Sequence, residues 1–369
     1  MTKALKINKK TEQGVLDFLK YIIESKKVSG VFTLKKINKN ESVAYSLITD
    51  VKDLDDAVPF YPLMPVNAGK LLSRFSLNGP PDKKIAAVVK PCELRGFIEL
   101  IKRKQGSLDN IIIISLNCGG VYPTKFGLDK TLENNLTKYW DDVKKGDIPK
   151  DIRPTCKSCE EFKPYMADIT FDILGKNDLD KQCMLYLNTA RGQDVANGFK
   201  GDFSDKEIDN KKLEKISEKR KIEKEKLFDE IGKKMDGIDG LINIFGKCIS
   251  CHGCSKVCPI CYCVLCEFES SDSEYNSSYY ESELRKKPGL RVPPGTIYYH
   301  LGRLSHIAIS CVACGACDDV CPVDIPISMI FKKVGESVQK MFDYIPGKDV
   351  DEMMPLITFE NEELTEYEG

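Results

Sequence analysis

The sequence predicts an α/β domain followed by a mostly helical, cysteine-rich domain. Short apolar runs alternate with helical patterns over the first 200 residues, which is the rhythm of βαβ units. A segment rich in Lys and Glu, from 205 to 234, separates this part from the rest. Most of the sixteen cysteines lie beyond that segment, between residues 246 and 342.

The α/β domain is placed at residues 1–195. Its strands are predicted from apolar or alternating runs, and its helix from an apolar residue at every third or fourth position. The predicted elements are strands at 85–89, 111–114, 168–174 and 184–187, and a helix at 94–104.

The rest of the chain divides into three parts. Residues 196–240 are predicted to be a charged helical linker, because apolar residues recur at helical spacing among the Lys and Glu. Residues 241–345 form the cysteine-rich domain. After Lys348 the chain has eight acidic residues and no basic ones, which predicts an acidic tail over 346–369.

Composition excludes several classes of function. The 55 basic residues nearly cancel the 56 acidic ones, so the chain has no basic field to attract nucleic acid. The N-terminus lacks the apolar core of a signal peptide, and no run approaches the ~20 apolar residues of a membrane span. We therefore expect a cytoplasmic protein with no nucleic-acid partner and no membrane span. In a reducing compartment, sixteen cysteines indicate metal or redox ligation rather than disulfides.

Two copies of one cysteine motif carry the strongest functional signal. Each matches the run that holds a cubane cluster in bacterial ferredoxins, with a proline after the fourth cysteine. The motifs are Cys248-x-x-Cys251-x-x-Cys254-x-x-x-Cys258-Pro259 and Cys311-x-x-Cys314-x-x-Cys317-x-x-x-Cys321-Pro322. In two-cluster ferredoxins the fourth cysteine of each run binds the other cluster. The predicted ligands are therefore Cys248, Cys251, Cys254 and Cys321 for one [4Fe-4S] cluster, and Cys311, Cys314, Cys317 and Cys258 for a second.

The spacing favours iron-sulfur clusters over zinc, because Cys₄ zinc sites lack the third and fourth cysteine at these offsets. Gly253 and Gly315 are expected to relieve crowding in the two loops. Helical patterns at 296–309 and 327–341 flank the second motif. This part resembles the helical ferredoxin domain of heterodisulfide reductase and succinate dehydrogenase iron-sulfur subunits.

Four further cysteines lie outside the two motifs and outside the first-domain group described below. Cys261, Cys263 and Cys266 follow the first motif, and they are either ligands of a further metal centre or small apolar residues packed near the clusters. Cys183 has no partner motif and is predicted to be structural.

Four cysteines of the first domain form a candidate third site. Cys92 and Cys118 directly follow two neighbouring predicted strands, at the edge where open α/β sheets bind ligands. Cys156 and Cys159 form a C-x-x-C pair in a loop. Together the four predict a third [4Fe-4S] cluster, with a redox-active dithiol or a zinc site as the alternatives.

The same residues carry a family resemblance. In three motifs and their order, the chain resembles the beta-subunit family of F420-reducing hydrogenase and formate dehydrogenase. The motifs are Lys90-Pro91-Cys92-Glu93-Leu94-Arg95-Gly96, Asn117-Cys118-Gly119-Gly120, and Arg153-Pro154-x-Cys156-x-x-Cys159 leading to Ala167-Asp168-Ile169. The resemblance implies FAD, [4Fe-4S] clusters, and electron passage between a catalytic partner subunit and F420 or another acceptor. The C-terminal dicluster segment is most similar to the formate dehydrogenase branch that associates with heterodisulfide reductase-like complexes.

With this resemblance, the expected fold is an α/β flavin-binding domain followed by a mostly helical dicluster ferredoxin-like domain. The chain has no G-x-G-x-x-G, so the flavin site is inferred from position alone. Asn67, Gly69 and Lys70 open a predicted helix whose free N–H groups suit a phosphate, and Lys90 is expected to face the same crevice. An ordinary capped helix start is the alternative. No catalytic acid-base or nucleophile arrangement stands out.

The primary hypothesis is an FAD- and iron-sulfur-containing electron-transfer subunit of an oxidoreductase complex. Its expected partners are a catalytic formate dehydrogenase or hydrogenase subunit, heterodisulfide reductase-like subunits, or both. The rival hypothesis is a ferredoxin-like adaptor without flavin that only relays electrons between partners. A zinc-ribbon interaction protein is the third.

Overall fold

The computed structural model describes residues 3–37, 42–127, 131–270, 276–287, 289, 292–355 and 357. They form an eight-stranded mixed sheet with helices on both faces, followed by a helical region. Most of the predicted acidic tail, residues 356 and 358–369, lies outside the described residues.

The sheet has a parallel centre and antiparallel edges. Its strands are β1 Lys3–Ile7, β2 Val31–Ile37, β3 Ser42–Ile48, β4 Ile85–Val88, β5 Ile111–Leu116, β6 Ile169–Phe171, β7 Cys183–Leu187 and β8 Asp202–Asp205. Their order across the sheet is β3-β2-β4-β5-β6-β7-β1-β8. Four strands that are consecutive in this order, β2, β4, β5 and β6, run parallel to one another. Every other neighbouring pair in the sheet is antiparallel.

Helices surround the sheet and make up most of the C-terminal region. The helices are α1 Thr11–Glu24, α2 Ala68–Phe75, α3 Pro91–Lys102, α4 Thr131–Lys145, α5 Pro154–Lys157, α6 Ala190–Ala196, α7 Asn210–Lys234, α8 Gly237–Phe245, α9 Gly253–Val257, α10 Ser277–Lys286, α11 Thr296–Ile307, α12 Ala316–Asp319 and α13 Ile327–Met341.

The central strands are apolar along their whole length because both of their faces are buried. In β4, Ala86 and Val88 belong to the core that includes α1, whereas Ile85 and Ala87 belong to the core that includes α2 and α3. Strand β5 divides between the same two cores. A strand buried on both faces reads as a continuous apolar run. The predicted strand–helix–strand unit is therefore confirmed by β4, α3 and β5.

The sheet contains strands that the sequence patterns did not predict. Strand β1 pairs with both β7 and β8, and β8 follows residue 195, where the sequence placed the end of this domain. All four residues of β8 are exposed, so the strand has no apolar side to signal it. Strand β6 is shorter than predicted, because the side chains of Asp168 and Asp172 at its ends accept hydrogen bonds from Ile113 N and Asn117 Nδ2.

The helical region has its own apolar core. The predicted linker is mainly α7, whose buried apolar residues Leu213, Ile216 and Ile231 form a stripe along a charged helix. Helices α11 and α13 confirm the helical patterns that flank the second motif. In the part of the chain that the structure describes, no helix is both long enough and apolar enough to cross a membrane.

Helices α2 and α3 pack at very short range. A Cβ atom added to Gly69 would overlap the Glu93 carbonyl oxygen and would lie 2.6 Å from Phe97 N. The Glu93 carboxylate reinforces the contact by accepting hydrogen bonds from Ala68 N (3.2 Å) and Lys90 N (2.8 Å). Gly69 is therefore a packing residue between two helices.

We expect Gly69→Ala to lower stability by about 1–3 kcal/mol, because the added methyl group forces α2 away from the α3 backbone. The measurement is the thermal unfolding midpoint of anaerobically purified protein. Gly289→Ala is the matched control, since a Cβ added there meets nothing within 4 Å. Equal midpoints for the two variants would contradict the close helix contact.

Candidate iron-sulfur centres

Cysteines from both motifs line one cavity beside α11. The first set of cysteines is Cys248, Cys251, Cys254 and Cys321. The Cys248 sulfur accepts a hydrogen bond from Ser250 N (3.4 Å), and the Cys321 sulfur accepts one from Ile325 N (3.3 Å).

A second cavity is lined by the remaining motif cysteines. The second set is Cys258, Cys311, Cys314 and Cys317. Burial raises the pKa of the Cys311 thiol to about 11, and the backbone N–H of Ala313 donates a hydrogen bond to this sulfur. In each cavity, the fourth cysteine of one motif lies with the first three of the other. This grouping has the pattern of two-cluster ferredoxins.

The loops of the two motifs share one backbone shape. Ser250 and His252 have φ angles of 53° and 55°, and Ala313 and Gly315 at the same motif positions have 52° and 78°. The first residue of each pair turns its N–H toward the cysteine two positions earlier. The left-handed positions in the first loop are therefore Ser250 and His252. A Cβ added to Gly253 would come no closer than 3.5 Å to its neighbours, so the relief of crowding expected there was wrong.

Gly315 has a second reason to lack a side chain. A Cβ added there would overlap the Thr155 hydroxyl and would lie 3.0 Å from the Arg153 side chain. Arg153 is the N-cap of α5, and Thr155 lies within this short helix together with Cys156, so the loop predicted for the C-x-x-C pair was wrong at Cys156. The second motif therefore packs directly on the segment of the α/β domain that carries the C-x-x-C pair.

The four predicted ligands of the first domain also come together. The third set is Cys92, Cys118, Cys156 and Cys159. Cys92 begins α3 after β4, and Cys118 follows β5, so both lie at the carboxyl edge of the parallel strands. Burial raises the pKa of the Cys156 thiol to about 12; Arg153 opposes this rise, and the nearby Cys118 and Cys159 add to it.

The donor chemistry of the three sets fits cubane clusters. Each set offers four thiols, and each includes a sulfur that accepts a backbone N–H, as Cys118 does from Gly120 N at 3.4 Å. Such N–H···S bonds are among the features that tune iron-sulfur potentials. Among the described residues, no group of three or more His, Cys, Asp and Glu is arranged to hold a single metal ion.

The second and third sets are neighbours. Cys92 and Cys314 pack into one small apolar cluster with Met64, Val121 and Ala316. Burial raises the pKa of the Cys92 thiol well above its usual value, and among its charged neighbours Cys314 contributes most. A centre held by the third set therefore adjoins a centre held by the second set.

Arg153 connects these two sets and was not assigned a role from sequence. Its guanidinium donates to the carbonyl oxygens of Cys314 and Met64, both at 2.9 Å, and forms an ion pair with Asp319. The side chains of Arg153 and Asp319 are 2% and 5% exposed, so the pair is buried. The only sequence signal was its place before Pro154 in the family motif.

Two of the predicted flavin contacts lie at the start of α2. Asn67 is the N-cap, and its Oδ1 accepts a hydrogen bond from Gly69 N at 2.9 Å. The other backbone donor at this helix start, Ala68 N, donates a hydrogen bond to the Glu93 carboxylate. The first N–H groups of this helix are therefore occupied within the chain.

The other two predicted flavin contacts are lysines that are also engaged. Lys70 Nζ donates to the carbonyl oxygens of Lys256 (2.7 Å), Cys258 (2.9 Å) and Cys261 (3.3 Å). Lys90 is buried, and its Nζ donates to Leu63 O at 3.0 Å. The Lys70 contacts connect α2 to the first motif and to Cys261 just beyond it. The Lys90 contact connects the segment after β4 to the backbone at Leu63.

The cysteines without an assigned role occupy different environments. Cys261 accepts a hydrogen bond from Arg303 Nη2 at 3.6 Å, Cys263 is exposed, and Cys266 is partly buried. Cys183 is buried in β7, where burial raises the pKa of its thiol to about 12. The sequence also gave no signal for Arg303, which contacts Cys254 and Cys261.

Comparisons with known proteins identify relatives of both regions. Residues 82–211 match the family described as the C terminus of the coenzyme F420 hydrogenase/dehydrogenase beta subunit, and residues 244–325 match the 4Fe-4S dicluster domain. The chain is 28% identical to the F420-dependent formate dehydrogenase subunit beta of Methanocaldococcus jannaschii, over 94% of each chain. It is also 28% identical to F420-dependent formate dehydrogenase 1 subunit beta of Methanococcus maripaludis, over 93% of this chain and 92% of that one.

A solved structure also aligns with part of the chain. It is a chain of the F420-reducing [NiFe] hydrogenase complex from Methanosarcina barkeri, with a TM-score of 0.45 and 13% identity. The alignment covers 64% of this chain and 93% of that one.

We expect Cys321→Ser to disturb the same cluster as Cys254→Ser, because both residues line the first cavity. Cys317→Ser should instead disturb the other cluster. The measurement is the electron paramagnetic resonance spectrum of each variant after anaerobic reduction. If Cys321→Ser reproduces the spectrum of Cys317→Ser, the fourth cysteines are not exchanged between the motifs.

Removal of a third-set thiol should abolish a separate cluster. We expect Cys118→Ser and Cys156→Ser each to hold about four fewer irons per chain than the wild type, since a cubane cluster contains four irons. Iron analysis under anaerobic conditions measures this loss. Cys183→Ser is the matched control, because this buried cysteine lies outside the three sets and should leave the iron content unchanged.

Proposed function

Since this chain belongs to the beta-subunit family of coenzyme F420 hydrogenases and dehydrogenases, we propose that it is the iron-sulfur electron-transfer subunit of an F420-dependent formate dehydrogenase-type complex. It passes electrons between a catalytic partner subunit and F420 or a heterodisulfide reductase-like module. Formate is favoured over hydrogen as the electron source, because both full-length relatives are named as formate dehydrogenase subunits.

The observation that carries this proposal is the succession of three cysteine sets through the chain. The third set adjoins the second at Cys92 and Cys314. The second and first sets are joined by the short helix α9, with Cys254 of the first set inside it and Cys258 directly after it. Three clusters held in this way would form a relay from the carboxyl edge of the sheet to Cys251, which is exposed.

FAD is the fourth proposed cofactor, and its support is the family resemblance. When bound, FAD supplies the exchange between two-electron hydride transfer and single-electron transfer. The role of this chain would then be to hold the flavin near the third set and to exclude water from the cluster positions. The third set is suited to this role, since the pKa shifts of Cys92, Cys118 and Cys156 have burial as their largest cause.

A ferredoxin-like adaptor without flavin is the second candidate. It is favoured by the contacts of Asn67, Gly69, Lys70 and Lys90, whose donor and acceptor groups are bonded within the chain. Such a protein would relay electrons between partners through the same three cysteine sets.

Cofactor analysis of the anaerobically purified chain distinguishes the candidates. We expect about twelve irons per chain, from three cubane clusters, together with one FAD. The same preparation, mixed with its catalytic partner subunit, should support formate-dependent reduction of F420. The same clusters without flavin would select the adaptor, and a colourless protein that contains zinc would contradict both.

A further inference from the structure

Arg303, on α11, is a buried cation between the first and second sets. The residue is 3% exposed and lines the cavity of the second set. Its Nη1 donates to the sulfur of Cys254, a first-set cysteine, at 3.1 Å. Its Nη2 donates to the carbonyl oxygen of Cys254 (3.2 Å) and to the sulfur of Cys261 (3.6 Å). The guanidinium therefore contacts two sulfur atoms directly.

The counter-charge of Arg303 is sulfur. Among the described residues, Arg303 forms no ion pair with Asp or Glu, in contrast to the buried Arg153 with Asp319. Its guanidinium instead lies 5.5 Å from the centroid of the Tyr299 ring and 5.4 Å from that of Phe331. A buried charge is costly without an opposite charge nearby. Cluster-ligating thiolates supply that opposite charge.

Arg303 also faces the second set. It lines the second cavity together with all four cysteines of that set. The same guanidinium that contacts the Cys254 sulfur therefore borders the position of the second cluster.

We infer that Arg303 raises the reduction potentials of the clusters held by the first and second sets. This inference rests on the cluster ligation in the proposed function. Reduction adds negative charge to a cluster, and a cation or hydrogen-bond donor at its sulfur atoms stabilises that charge. Burial keeps water from screening the effect. Arg303 thus acts on the clusters indirectly, through the sulfur atoms that its guanidinium contacts.

The test is a redox titration of the intact protein, followed by electron paramagnetic resonance. In Arg303→Met we expect the equilibrium constant for one-electron reduction of the first-set cluster to fall at least tenfold, which is a shift of about 59 mV to more negative potential. Lys256→Met is the matched control. Lys256 lies in the first motif, two residues after Cys254, but its side chain is 69% exposed and pairs with Glu269, so its removal should leave both potentials unchanged.

Arg303→Lys keeps the folding test separate from the charge test. Lysine retains the charge but lacks the planar fork that contacts two sulfurs, so we expect a smaller negative shift with the full iron content. If Arg303→Met loses its clusters, the reduction potentials of Arg303→Lys test the inference instead. Wild-type potentials in whichever of these variants retains its clusters would overturn the inference.

Iron analysis separates this inference from the proposed function. Wild-type protein that contains no iron would overturn the proposed function itself, and this inference with it. Clusters that are present but keep wild-type potentials in the Arg303 variants would overturn the inference alone.

Discussion

The buried ion pair of Arg153 with Asp319 fixes the cysteine-rich region on the α/β domain. Asp319 is the last residue of α12 and lies between Cys317 and Cys321 of the second motif, and it also accepts a hydrogen bond from Thr124 N at 2.9 Å. Arg153 adds bonds to carbonyl oxygens on both sides of the junction, at Met64 and Cys314. Loss of one partner from such a pair leaves an uncompensated buried charge, which is strongly unfavourable. The spacing between the second and third sets is therefore held by an interaction with little freedom to vary.

Further contacts hold the same junction at its edges. Lys70 on α2 reaches three carbonyl oxygens around the end of the first motif. On α3, the buried Glu99 accepts hydrogen bonds from the Tyr344 hydroxyl and from Gly347 N (2.8 Å), while Arg95 donates to Pro346 O at 2.7 Å. Helices α2 and α3 thus form a platform on which residues far apart in the sequence meet. The polar residues near α2 take part in these contacts.

Local patterns explain which features could be predicted from the sequence. A run of buried apolar residues is a property of a few neighbouring positions, so β4, β5 and the helix between them were visible. The paired cysteine motifs are local in the same way. The thiols of Cys92 and Cys118 were placed together because both follow parallel strands, a rule of topology that sequence order can convey.

The features that escaped prediction depend on distant parts of the chain. Arg303 contacts Cys254 and Cys261, more than forty residues before it, and nothing in the α11 sequence distinguishes it from a surface arginine. The close packing of Gly69 against α3 could not be predicted, because a strand separates the two helices in the sequence. Strand β8 has no buried side chain and depends on pairing with β1 at the opposite end of the α/β region. Such contacts are properties of the folded chain rather than of a short segment.

The exchange of the fourth cysteine makes each cavity depend on both motifs. Cys258 lies one residue beyond α9 yet lines the cavity of the second motif, and Cys321 lies just past α12 yet lines that of the first. Helices α9 and α12 therefore have to pack side by side for either cavity to close. The second motif is in turn held by Arg153 against the third set. All three cysteine sets thus depend on the same packed junction, and a displacement of α12 would disturb the spacing of every centre at once.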